Sequence, residues 1–68
     1  MKAEIISIGD ELLIGQVINT NSAWISKQLN NVGFDIHRVT TISDDALEIV
    51  NSLKEALSRV DIVLMTGG

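Results

Sequence analysis

The spacing of apolar residues changes along the chain from strand-like to helix-like and back. Ala3 to Ile8 is a short, β-branched run closed by Gly9, and predicts a first strand. From about Asn21 to Val32, the residues Ile25, Leu29 and Val32 recur at helical spacing. That predicts a first helix, with Thr20 or Asn21 as N-cap and Gly33 in the C-terminal cap position. Phe34, Ile36 and, after a slip in phase, Val39 alternate with Asp35, His37, Arg38 and Thr40, the pattern of a strand with one wet face or an edge position. Asp45, followed three residues later by Glu48, makes a capping-box-like start for the clearest helix. In it Ala46, Ile49, Val50, Leu53, Ala56, Leu57 and Val60 fall at i, i+3, i+4, i+7, i+10, i+11 and i+14. Ile62-Val63-Leu64-Met65 is short and apolar without alternation, as expected of a strand covered on both faces, and leads into Thr66-Gly67-Gly68.

Strand, helix, strand, helix, strand implies right-handed crossovers and a parallel sheet. With the wettest strand second and the driest last, the expected strand order is 2-1-3, the helices lie on opposite faces, and a ligand binds beyond the strand C-termini, where the winding changes direction. The outer edge of the third strand is then an uncovered row of Ile, Val, Leu and Met. Such an edge is an aggregation hazard, and the simplest expectation is that residues 1–68 are the incomplete N-terminal part of one domain.

Composition narrows the classes of function. The 68 residues are 46% hydrophobic and 21% charged, which suits a packed domain and excludes a disordered chain. A chain this short buries only about 60% of its unfolded surface, so it is expected to be marginally stable alone. No cysteine and a single His remove both a disulfide framework and a Cys/His zinc site. A net charge of -4 with no Lys/Arg run argues against a nucleic-acid partner. No signal sequence and no span of about 20 apolar residues is visible, so no membrane association is expected and a reducing, cytoplasmic compartment fits best.

The residues able to carry chemistry gather where the expected topology puts a ligand. The connection from Gly9 to about Thr20 is long for a compact domain and leaves a central strand. Asp10 and Glu11 place two carboxylates at the switch point, suited to a divalent cation or to ribose hydroxyls, or simply to solvating a turn that opens a short helix through Leu12, Leu13 and Ile14. Gly15 permits a turn or a close approach to a ligand. Asn21 reads either as a ligand contact or as a cap, and Asp44 and Asp45 either as helix-dipole partners or, for Asp44, as a carboxylate facing the crevice. Thr66, Gly67 and Gly68 read as the opening of a glycine-rich phosphate or pterin loop, or as a turn. His37 reads as a solvated strand residue, and Trp24 as helix packing rather than a stacking platform.

Taken in order, Gly9-Asp10-Glu11-Leu12-Leu13, Gly15-Gln16, Asn19-Thr20-Asn21, Ser43-Asp44-Asp45 and Leu64-Met65-Thr66-Gly67-Gly68 make the whole chain resemble the N-terminal part of the CinA family (competence/damage-inducible protein A). The resemblance implies a three-layer αβα domain of the MogA/MoaB-like molybdopterin-binding fold, within a longer protein that often carries a C-terminal domain deamidating nicotinamide mononucleotide. It implies a small-molecule nucleotide or pterin ligand, hydrolysis of ADP-ribose assisted by Mg²⁺ or a similar divalent metal, and a homo-oligomer. Two alternatives stay open: a molybdenum-cofactor step with molybdopterin in the same pocket, and a domain that only binds a nucleotide or assembles subunits. By resemblance, Asp44 matches an acidic active-site position near the metal, and Asp10 and Glu11 match the segment beside the same pocket, with Asp10 a second metal ligand. Thr66, Gly67 and Gly68 match the start of the pterin or nucleotide loop. Gly9, Gly15 and Asn21 are expected to complete the ligand-binding set.

Overall fold

In the computed structural model, which describes residues 1–15 and 19–67, β1 (Lys2–Ile8) forms the centre of a sheet. It is followed by α1 (Asp10–Leu13), α2 (Thr20–Asn31), β2 (Asp35–Ile42), α3 (Ala46–Leu57) and β3 (Ile62–Gly67). The strands run parallel in the order β2-β1-β3, as the wet second strand and dry third predict. Neighbouring residues of β1 point to opposite faces. Ser7 meets Ser22 of α2 on one face, while Ile6 packs with Ile42 and with Ala56 of α3 on the other. The two helices therefore cover opposite faces.

The slip in phase along the second strand is a β-bulge. Ala3 pairs with Ile36 but Glu4 pairs with Arg38, so His37 is the extra residue. From there on, Arg38, Thr40 and Ile42 share the α3 face of the sheet with their partners Glu4, Ile6 and Ile8.

Local chemistry explains the helix ends. Gly33 adopts φ +96°, and the N–H groups of Gly33 and Phe34 bond the carbonyls of Asn30 and Leu29 at 3.2 and 3.0 Å, a Schellman close that favours glycine. Asp45 caps α3 as expected, its Oδ2 accepting the Glu48 N–H at 3.0 Å. The reciprocal half of the capping box is absent, because the Glu48 carboxylate takes the Ser43 hydroxyl instead.

Three expectations are corrected. The cap of α2 is Asn19, whose Oδ1 accepts the Ser22 N–H at 3.3 Å. Thr20 and Asn21 are already helical and exposed, so neither is placed to bond the N–H two or three residues on as a cap does. Trp24 is 65% exposed: the sheet-facing side of α2 is marked by buried Ser22 and half-buried Ile25 and Leu29, and Trp24 lies off that stripe. β3 is half-buried from Ile62 to Thr66 rather than covered on both faces, since among the described residues no strand pairs with its outer edge.

Candidate functional site

Parallel strands bring the C-terminal ends of β1, β2 and β3 to one rim, and the segments leaving them build an open cleft of about 410 Å³. Gly9, Asp10 and Glu11 enter it from β1, Asp44 from the β2–α3 turn and Gly67 from β3, with Ile8 and Ile49 as its apolar floor. Gly9 is buried and donates its N–H to the Ile42 carbonyl at 3.1 Å, which ties the start of the loop to the end of β2. A Cβ at position 9 would stand 2.7 Å from Oε1 of Glu11; glycine lets that carboxylate fold back over the strand end. α1 then opens directly with Asp10 and Glu11, acidic residues that suit the positive end of a helix.

Two acidic residues from different segments line the same cleft, and one holds the backbone of the other. Oδ1 of Asp10 accepts the backbone N–H of Asp44 at 3.3 Å, so the first residue of α1 turns to hold the β2–α3 turn. With Asp45 as the cap of α3, Asp44 is left exposed at the cleft. The donor set offered by Asp10, Glu11 and Asp44 is all oxygen, the chemistry of Mg²⁺ or Ca²⁺. Among the described residues no group of three or more His, Cys, Asp or Glu side chains is arranged to hold a metal. Any ion held by these residues would therefore take one or two carboxylates and complete its shell from elsewhere, rather than sit in a closed protein cage.

The other candidates lie apart. Gly15 is exposed with φ +81° just past α1, and Asn21 is exposed on the first turn of α2; neither lines the cleft. Thr66 turns to the α2 face, where its hydroxyl reaches Ser7 at 3.4 Å. Gly68 lies outside the described residues.

Two polar residues of β1 are buried without having been marked by any motif: Ser7 interrupts the isoleucine run and Glu4 immediately precedes it. Ser7 and Glu4 are 0% and 1% exposed. Ser7 bonds Asn19, Ser22 and Thr66. Glu4 bonds Arg59, whose guanidinium holds its carboxyl below the ordinary value of 4.5 against the opposing effect of burial. The signal was there: a polar residue in a strand otherwise reading as buried needs a partner.

Residues 4–68 match the family model described as a probable molybdopterin binding domain. A CinA-like protein of Chloroherpeton thalassium is 56% identical over all 68 residues, which amount to 16% of its own length. A putative competence-damage inducible protein of Shouchella clausii is 47% identical over the same 68 residues, again 16% of its length. A crystal structure of the protein CinA, of unknown function, from Thermoplasma acidophilum superposes with a TM-score of 0.92 at 34% identity, covering 96% of this chain and 40% of that one. The chain thus spans about a sixth of the length of these curated relatives.

Proposed function

Because the chain belongs to the probable molybdopterin binding domain family, in the form found in CinA-like proteins, we propose that its cleft binds the diphosphate of a nucleotide such as ADP-ribose and supports metal-dependent hydrolysis there. The observation that carries this reading is the meeting of Asp10 and Asp44 at the strand C-termini, opposite Gly67. Carboxylates repel a diphosphate, and their collection where an α/β sheet binds its ligands makes sense for an anion only when a cation accompanies it. Asp44 and the free oxygen of Asp10 would hold that ion. When bound, it supplies Lewis acidity toward phosphate oxygens and water.

This chain's own groups do the rest. Gly67 leaves room for close approach of the ligand to the end of β3, while Asp10 fixes the turn that presents Asp44. In the hydrolysis a water oxygen forms a bond to one phosphorus and the bridging P–O bond breaks. ADP-ribose gives AMP and ribose 5-phosphate, with a proton released to solvent. The outer edge of β3, unpaired among the described residues, supports association with further subunits or further chain, and we place the protein in the cytoplasm as its cysteine-free composition suits.

A second reading, molybdopterin in the same cleft, is favoured by the description of the matching family. One experiment separates the two. The longest natural chain that contains these residues is incubated with ADP-ribose and Mg²⁺, and AMP is measured for wild type and Asp44→Asn. Metal-dependent AMP formation that falls by orders of magnitude in the variant supports hydrolysis. Wild-type rates in Asp44→Asn at saturating metal overturn the role of Asp44, and no AMP together with fluorescent pterin retained on purification favours the second reading.

A further inference from the structure

The geometry points to Ser7 as the positioning residue that holds two segments beside the proposed site, the start of α2 at Asn19 and the glycine segment leaving β3, in one arrangement. This rests on the nucleotide-site reading above. Ser7 is fully buried, where a small apolar residue would fit without needing a hydrogen-bond partner. A hydroxyl there adds direction instead. It has one proton to give and two lone pairs to receive. The Asn19 amide donates to it at 2.8 Å and the Thr66 hydroxyl at 3.4 Å, which leaves the Ser7 proton for the neighbouring Ser22 oxygen. All its capacity is used, on partners from three places in the chain.

Those partners are the places that matter. Asn19 ends the loop that begins at Gly9 and also caps α2 through Ser22. Thr66 immediately precedes Gly67, which lines the cleft. The loop is thus fastened at its start by the Gly9 N–H on Ile42 and at its end by Asn19 on Ser7, and the same Ser7 oxygen holds the strand from which the glycine segment departs. Losing it frees the end of β3, and with it Gly67, relative to β1 while leaving the carboxylates of Asp10 and Asp44 in place, so ligand affinity should suffer before chemistry does.

The test uses Ser7→Ala, Asn19→Asp and, as a control for ordinary core damage on the same strand face, Ile5→Val, in the longest natural chain that contains these residues. Asn19→Asp keeps an oxygen to cap Ser22 and removes the donor to Ser7. With ADP-ribose and Mg²⁺, Ser7→Ala and Asn19→Asp should raise KM about tenfold, the effect of one buried hydrogen bond, with kcat within about twofold. Ile5→Val should lower thermal stability and leave KM unchanged. An unchanged KM in Ser7→Ala and Asn19→Asp, or a collapse of kcat at constant KM, overturns the assignment. Should Ser7→Ala not fold, Asn19→Asp carries the test alone. If wild type forms no AMP, the hydrolase reading fails, and Ser7 is judged by amide exchange. Exchange at Ser22 and Gly67 at least about tenfold faster in the variants, with Val60 unchanged, supports the positioning role, and a uniform change overturns it.

Discussion

Arg59 grips the Glu4 carboxylate side-on, Nε donating to Oε1 at 2.8 Å and Nη2 to Oε2 at 2.7 Å. Glu4 sits in the middle strand with 1% of its surface exposed, and Arg59 reaches it from the connection after α3 with 30% exposed. The fork fixes the end of α3 against β1 with a directionality that apolar packing does not provide. Its hydrogen bonds, reinforced by the guanidinium charge, hold the Glu4 carboxyl below 4.5. A carboxyl whose folded value is depressed stabilises the protein fully above the unfolded value and loses that contribution as pH falls through the folded one.

Glu4→Gln should therefore cost about 2 kcal/mol at neutral pH, the range for a hydrogen bond to a charged group. It should also reduce the loss of stability between about pH 4.5 and the folded value, since the group that titrates there is gone. Urea denaturation at a series of pH values checks both, and parallel pH profiles for variant and wild type would refute the coupling.

Asp44 and Asp45 are adjacent and chemically identical, yet the structure separates their duties. Asp45→Ala should destabilise by about 1 kcal/mol, the usual loss of an N-cap. Asp44→Asn should leave stability within about 0.5 kcal/mol, as for an exposed residue away from caps and core. Thermal denaturation of the two variants side by side distinguishes them, and equal losses would mean that the capping assignment is wrong.

On its own, the 68-residue chain should self-associate. The outer edge of β3 has no charge and no proline between Ile62 and Gly67, the devices that usually blunt an edge. Ser52 and Glu55 of α3 and Arg59 just beyond it line a small pocket with Arg38 and Thr40 of β2, which turns Val50 and Leu57, 46% and 53% exposed, toward the β3 side. Concentration-dependent sedimentation should show this, and Val50→Glu with Leu57→Lys should weaken it. A monodisperse monomer at high concentration would contradict the expectation.

The fold was legible because each element announces itself locally. The apolar arc of α3, the Gly33 stop and the dry third strand each reflect one periodicity and one cap. The ligand end was legible as a set of residues but not as an arrangement. Nothing in the spacing says that the Asp10 carboxylate turns back to the Asp44 amide, or that Asn19 rather than Asn21 faces Ser7. Those contacts join residues 34 and 12 positions apart, and they depend on how α1 and the bulge aim the chain after the sheet has formed.

The bulge at His37 behaves like a change of reading frame within a strand. Upstream of it, Ile36 sits beside Ala3; downstream, every side chain is displaced by one position, which is what delivers Ile42 to Ile6 and Ala56. Were His37 to enter the ladder opposite Glu4 instead, the strand would present Ile42 to the wrong helix and Thr41 to the core; deleting this single exposed residue would close the ladder with every other pair unchanged. What it contributes is its place outside the count: replacement by another residue should be tolerated, and so should its removal, whereas a second residue inserted after Arg38 would have to bulge out as well or turn Ile42 away from Ile6.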